Sequence, residues 1–349
     1  MDLFFNVLAL GLDLAGVAAA RKKPEPARLS RFLLFTVLGH LFLAIFFQRG
    51  PFHLFRLWAW VALAHLPILL LVFGWILRTR SRLYPTLGAL AFLIAAAASA
   101  DAFLVEPTWL RVTHHEIESA KIDRPLRIGV LADFQTDQIG DYEREVLETL
   151  QREKVDLLIL PGDYIQAPND SYAALVSEFR ELWQRVGITT PLGIYAVRGN
   201  CDRDRWEEIF SGLDVSTFPE TEAVALDEIE IVGLGMLDSF DPRLQLDPGE
   251  TFRIVFGHAP DFALGAHHAD LLIAGHTHGG QIRFPVVGPL MTFSSVPNAW
   301  ADGLTFLPSG APLVVSRGTG HERGLAPRLR FFCRPEIVVV EVRPQSERP

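Results

Sequence analysis

An α/β domain carried behind an all-α transmembrane region of about four helices is the architecture this sequence predicts, on three observations. Nearly all the long apolar runs fall before residue 106. From about residue 125 onward, strand-like and helix-like segments alternate, as in a sheet with crossover helices. Within that second part, one apolar strand after another ends in a glycine-bearing or acidic turn. The 349 residues thus divide into a transmembrane helical region, 1–105, a polar linker, 106–124, and a globular domain, 125–349. The last holds roughly 225 residues, enough for a full core. A formal charge of −9 argues against general nucleic-acid binding, which needs a basic surface. Two cysteines, Cys201 and Cys333, are too few for a disulfide framework and lack zinc-site spacing.

Four apolar segments occupy residues 3–20, 32–47, 57–77 and 83–100. A span needs about 20 residues, with roughly 17 as the lower limit, so the second segment is short and three spans are the fallback. Asn6 and Asp13 weaken the first segment, and Pro67 is placed to kink the third. No basic stretch precedes the first run and further spans follow it, so it does not read as a signal peptide. Arg21, Lys22, Lys23, Arg28 and Arg31 in the first loop and Arg78, Arg80 and Arg82 in the third outweigh Arg49 and Arg56 in the second. Positive loops stay cytoplasmic, so four spans put both termini and the globular domain outside, in the periplasm or beyond. The loss of one span would invert this and put the domain on the cytoplasmic face. The chain reads as an integral protein of a bacterial-type inner or plasma membrane. Asp13, His40 and His65, with Asp101 near an end, are the polar groups of the spans, and packing against neighbouring helices accounts for the two histidines.

In the globular part, strands are expected at 126–132, 157–160, 193–197, 253–256, 271–274, 312–316 and 336–342. Antiparallel strands are expected near 215–218, 222–226 and 229–234. Helical patterns lie at 141–154 and 171–186, with a short one near 204–211. His114-His115 and His267-His268 read as solvated. The strands lead into Asp133, Asp163, Asn200, His258 and the pair His276/His278. In open α/β sheets ligands bind beyond the carboxyl ends of strands, so these residues can converge. Two imidazoles one residue apart, after the buried run Leu271-Leu272-Ile273-Ala274, suit a metal-bound catalytic site. Taken alone, the pair is equally well a set of ordinary loop histidines, and Gly-Asp or Gly-Asn is an ordinary turn. Five such coincidences in one domain have no simple structural account.

Together, Asp133-x-Gln135, Gly162-Asp163, Gly199-Asn200-Cys201-Asp202, Gly257-His258-Ala259-Pro260 and Gly275-His276-Thr277-His278-Gly279-Gly280-Gln281 resemble the blocks of the calcineurin-like metallophosphoesterases, in order and spacing from residue 126 to 282. The tail from Ser316-Arg317-Gly318 to Pro335-Glu336-Ile337 is similar to the branch that carries N-terminal membrane segments. The resemblance implies a four-layer αββα sandwich with two divalent ions, manganese, iron or zinc, at the strand ends. It implies that Asp163 bridges the ions. Asp133, His278 and Gln135 would hold the first, and Asn200, His258 and His276 the second. Asp163, Asn200 and His276 would be catalytic, with Asn200, Cys201 and Arg198 at the substrate. Two ions about 3.5–4 Å apart can clamp phosphoryl oxygens and acidify a water for in-line attack.

Two positions depart from the commonest pattern. Gln135 stands where most members have histidine; it either ligates through a weaker amide oxygen or only hydrogen-bonds a loop. Cys201 stands where many members have a histidine that assists the leaving group. It reads as a buried, inert thiol rather than a nucleophile, and Asp202 as a helix cap. Arg198 and Arg283 would either pair with phosphate or form structural salt bridges. His321 reads as a surface residue of a glycine-containing loop, with substrate contact the alternative.

The implied activity is a membrane-anchored hydrolysis of a phosphodiester, phosphomonoester or pyrophosphate. Tethering to membrane lipids favours a lipid-linked substrate such as UDP-2,3-diacylglucosamine, which some membrane-associated relatives cleave. That substrate is cytoplasmic, which the loop charges argue against. The alternative is a metal-poor binding scaffold on the same fold, for which Gln135 and Cys201 would be early steps. A transporter built on the spans finds little support in so few intramembrane polar residues.

Overall fold

The computed structural model describes residues 1–265 and 268–345. It forms two compact units, Met1–Leu104 with Gly324–Arg328, and Val105–Arg323 with the chain from Leu329 onward.

The first unit holds four helices long and apolar enough to cross a membrane: α1 (Asp2–Lys22), α2 (Pro26–Phe47), α3 (Pro51–Thr79) and α4 (Leu83–Thr108). Proline opens α2 and α3, where its missing N–H would have found no partner. The second span, short as an apolar run, becomes a 22-residue helix because it starts at Pro26 and takes Arg28 and Arg31 into its polar end. The surface of this unit is apolar: Phe4, Phe35, Phe42, Phe46, Trp75 and Leu104 are all more than half exposed. A patch of that kind is costly in water and ordinary against lipid.

The second unit is a sandwich of two six-stranded sheets. One runs in the order β1 (Arg111–Ser119), β14 (Glu336–Pro344), β2 (Leu126–Val130), β3 (Leu157–Leu160), β4 (Ile194–Val197), β5 (Ser216–Phe218). The other runs β12 (Gly303–Phe306), β13 (Pro312–Val315), β9 (Leu271–Ala274), β8 (Phe252–Phe256), β7 (Ile229–Gly233), β6 (Glu222–Leu226). From β2 to β5, and from β7 through β8 and β9 to β13, the pairing is parallel. Such strands are covered on both faces, which is why β3 and β9 read as unbroken apolar runs. Ile128, Ile159 and Val197 from the first sheet meet Ile254, Phe256 and Ile273 from the second in the central core. Residues of opposite parity, such as Leu158 and Leu160, pack outward on Leu147, Phe179 and Trp183 of α5 (Asp141–Arg152) and α6 (Asn169–Val186). The outer layer over the second sheet is thin, built on short helical turns at Met236–Ser239 and Pro260–Leu264.

The polar stretch 106–124, expected as a linker, contains β1. It pairs in parallel with β14 over nine residues, with His114 exposed and His115 half-buried. An edge strand with one polar face alternates weakly, so its sequence looks like a connector. His268 is exposed, as expected, and His267 lies outside the described residues.

Because Ile159 is fully enclosed between the sheets, Ile159→Ala should cost about 2–5 kcal/mol in denaturant unfolding. A cost near zero would mean the sheets do not pack as described.

Candidate metal centre

Parallel strands of both sheets deliver their carboxyl ends to one region. The loop after β2 brings Asp133 and Gln135, that after β3 Asp163, that after β4 Asn200, and those after β8 and β9 His258, His276 and His278. The backbone is left-handed at Asp133 (φ +46°), Gln135 (+37°), Asp163 (+58°), His276 (+68°) and His278 (+49°). Five of the eleven non-glycine residues with positive φ among the described residues therefore fall on this short set. Each such residue stores roughly 1–3 kcal/mol, tolerated where surrounding structure insists on it. Close approach is permitted by glycine. A Cβ on Gly199 would stand 2.1 Å from Asp163 Oδ1, and one on Gly275 2.6 Å from Asp133 Oδ2.

Hydrogen bonds fix which atoms keep their lone pairs. His258 Nδ1 donates to the Pro161 carbonyl at 2.9 Å, which in the neutral ring puts the lone pair on Nε2. His276 Nε2 donates to the Phe293 carbonyl at 3.2 Å, which leaves Nδ1 bare. These two bare nitrogens face each other at 3.2 Å. Asn200 Oδ1 lies 2.8 Å from His258 Nε2, and Asp163 Oδ2 lies 3.5 Å from it. With both rings in these neutral tautomers, four lone-pair-bearing atoms converge. Asp163 Oδ1 is oriented by the Cys201 N–H at 2.8 Å, and Asp133 by the His276 N–H at 3.0–3.1 Å.

Gln135 is wholly buried; its Nε2 donates to Gln166 Oε1 and Cys201 Sγ, both at 3.2 Å, leaving Oε1 without a hydrogen bond. Neither ring nitrogen of buried His278 has a hydrogen-bond partner among the described residues. Buried polar atoms left this way imply an absent partner. Asp133, Asp163 and His258 each offer an atom within 4.8 Å of the others. Two dications fit this set: carboxylates to offset charge, and imidazoles and amide oxygens to complete coordination.

Electrostatics agree with a set of residues suited to hold cations. Burial, and then the neighbouring Asp163, push the Asp133 carboxyl well above its usual range. Burial and then His258 push His276 down to about 4, and burial holds His278 well below its usual value, so both rings are neutral ligands at pH 7. Burial raises the Cys201 thiol, which agrees with an inert cysteine.

Residues 126–280 match the family model described as calcineurin-like phosphoesterase. This stretch of the chain is a calcineurin-like phosphoesterase domain. Over 277 residues the chain is 26% identical to an uncharacterized metallophosphoesterase, YkuE, of Bacillus subtilis, covering 72% of this chain and 93% of that protein. It is 27% identical over 257 residues to the phosphodiesterase YaeI of Escherichia coli, covering 68% and 90%. It is 22% identical over 332 residues to the UDP-2,3-diacylglucosamine pyrophosphatase LpxG of Chlamydia muridarum, covering 71% and 97%. The family and these relatives make the chain a hydrolase, and a phosphoester is the matching substrate class.

Two other residues of the phosphoesterase domain, Asp202 and His321, differ from expectation. Asp202 caps no helix; its carboxylate accepts from the N–H groups of Asp163, Tyr164 and Gly199, each at 2.8 Å, and ties the β3 and β4 loops together. Arg198 donates to the Asp202 carbonyl and to Asp204, and Arg283 pairs with Asp302, so both sit in structural contacts. His321 is buried rather than on the surface, because its loop tucks under Arg330, which donates to the carbonyls of Arg317, Gly318 and Gly320.

Sequence reasoning missed three features. Gln166 bridges Gln135, Cys201 and Glu322. Phe240 stacks edge-on against His276 at 4.9 Å. A hairpin of β10 (Arg283–Phe284) and β11 (Gly288–Pro289) exposes Phe284, Val286, Val287, Leu290, Met291 and Phe293. Its signal was the absence of any charge from residue 284 to 301.

Asp202→Ala should strip three charge-assisted bonds from the two loops and lower both metal content and activity by at least about tenfold. Unchanged metal content would dismiss this positioning role. Burial and then Asp163 raise the Asp202 carboxyl from an ordinary 3.8 to about 7. The folded, metal-stripped protein therefore binds protons that the unfolded chain releases between those values, and loses stability as pH rises through that window. Its thermal midpoint should be higher at pH 5.5 than at pH 8, and the reverse order would contradict the assignment.

Proposed function

We propose that the chain is a membrane-anchored phosphoesterase with two divalent ions, acting on a lipid-linked phosphodiester or pyrophosphate from the extracytoplasmic side. Asp133, Gln135, Asp163 and His278 would hold one ion, and Asp163, Asn200, His258 and His276 the other. The observation that carries this reading is the convergence of bare His258 Nε2, His276 Nδ1, Asn200 Oδ1 and an Asp163 oxygen. When bound, the ions would polarise the phosphoryl oxygens and acidify the attacking water.

The chain's own residues do the rest. The Cys201 N–H and the Asp202 carboxylate fix Asp163, and the Pro161 and Phe293 carbonyls fix the two rings. Asn200 is exposed and His276 partly so, which makes them the open side where a phosphate would enter. With a neutral Cys201 in place of an imidazole, the leaving group would take its proton from water, which favours acidic leaving groups such as a second phosphate.

A lipid-linked substrate is supported by the apolar hairpin, whose Phe293 carbonyl accepts from His276. Acyl chains of a lipid-linked substrate would cover it at about 25 cal/mol per Å². Four apolar helices and the distant likeness to a diacylglucosamine pyrophosphatase point the same way. The arginine-rich ends of α1–α2 and α3 argue for the extracytoplasmic side.

With manganese added, the detergent-purified chain should hydrolyse bis(p-nitrophenyl) phosphate, and Asp163→Ala should lose on the order of 10²–10³ in rate or more. Val286→Ser with Val287→Ser should keep that rate while losing at least about tenfold on a long-chain lipid phosphodiester. No hydrolysis and no bound metal would leave a binding scaffold. Equal loss on both substrates would reject the lipid role of the hairpin alone.

A further inference from the structure

The helices of the first unit bury a second cluster of ligating side chains, unrelated to the phosphoesterase domain. Asp13 lies midway along α1, His40 in the second half of α2, and His65 midway along α3, and each is at least nine-tenths buried. His65 Nδ1 stands 2.6 Å from Asp13 Oδ2, and His40 Nε2 stands 3.1 Å from Asp13 Oδ1. One atom from each of the three lies within 4.8 Å of the others. Ionisable groups at mid-span are costly and mark function more often than packing.

As a hydrogen-bond network the cluster does not close. Asn6 donates its amide to the Asp2 carbonyl at 2.8 Å, so its Oδ1 is what His65 Nε2 meets at 3.0 Å. That contact fixes the His65 proton on Nε2 and turns a lone pair on Nδ1 toward the Asp13 carboxylate, an arrangement that needs a positive centre. His40 Nε2 is directed at the Ala9 carbonyl at 3.0 Å. His40 Nδ1 is left without a hydrogen bond among the described residues, and Asp13 Oδ1 has only the shared contact from His40 Nε2 at 3.1 Å. A second proton on His65 would satisfy the Nδ1 contact, with Asp13 Oδ1 then facing only His40 Nε2 at 3.1 Å, a nitrogen also directed at the Ala9 carbonyl.

Local backbone geometry points to the same residue. Val61–His65 forms a π-helical turn inside α3, and it ends on His65. One extra residue in a turn re-aims everything after it, and such turns concentrate at functional sites. A plain α-helix would rotate His65 away from Asp13 by about one residue's step of roughly 100°.

We infer that Asp13, His40 Nε2 and His65 Nδ1 form a binding site for one divalent first-row transition ion within the helical bundle, with the Ala9 carbonyl as a fourth donor. One carboxylate and two imidazoles are a standard set for such ions. The hydrogen bond from His65 Nε2 to Asn6 orients the ring as outer partners of metal-bound histidines do. For His40 Nε2 to ligate, the proton it directs at the Ala9 carbonyl moves to Nδ1, and any second proton on His65 leaves to solvent as the ion enters.

Zinc and cobalt are the probes, on the full chain in detergent after gel filtration. A variant with the phosphoesterase ligands removed, Asp163→Asn with His258→Ala, should still carry one zinc per chain by elemental analysis. Its cobalt form should show visible d–d absorption. Adding His40→Leu and His65→Leu should abolish both signals. Asp13→Asn keeps the shape of the side chain and should weaken zinc binding at least tenfold. It decides the matter if the double leucine variant loses helix content by circular dichroism. If bundle variants bind as much zinc as their parent, or the parent binds none, the cluster is a packing contact between hydrogen-bonded side chains and the inference falls. Neither result depends on whether the phosphoesterase domain is active.

Discussion

The structure depends on lone pairs that face one another in a buried place. Proteins leave few polar atoms unmatched when they fold, because each costs roughly 1–3 kcal/mol. Here the sandwich forces His258 Nε2 and His276 Nδ1 to 3.2 Å, beside Asn200 Oδ1 and the Asp163 carboxylate. It also seals Asp133 and Gln135 away from water. Five left-handed residues hold the loops in that shape. The arrangement is unfavourable for a metal-free fold and favourable once cations occupy it, so folding stability has been traded for a prearranged ligand set.

The scaffold makes the trade affordable. Three separate apolar clusters, one between the sheets and one on each outer face, anchor every strand whose end carries a candidate ligand. Asp202 adds a polar clamp that a loop could not provide for itself, joining the β3 and β4 turns through three backbone N–H groups. Burying a carboxylate is tolerable there because the donors favour its charged form, even though burial and Asp163 pull the other way.

Much of this was legible in the sequence, for a physical reason. Strands buried on both faces leave unbroken apolar runs at β3 and β9 and runs broken by a single arginine at β2 and β8, so these and the residues at their ends stood out. What escaped depended on long-range partners. β1 is an edge strand whose identity comes from β14, more than two hundred residues away. Asp202 looked like a cap because its N–H partners Asp163 and Tyr164 lie 39 and 38 positions back. The second helix exceeded its apolar run because α-helices continue through arginines at a polar end. The Asp13–His40–His65 cluster could not be assembled from sequence at all, since three helices must pack before their polar residues meet.

Anomalous X-ray diffraction at the manganese edge, on crystals of the full chain grown with manganese, tests the central claim most directly. The account predicts two peaks about 3.5–4 Å apart, with Asp163 between them and the seven named side chains around them. No peak beside Asp163, or density lying away from His258 and His276, would contradict it.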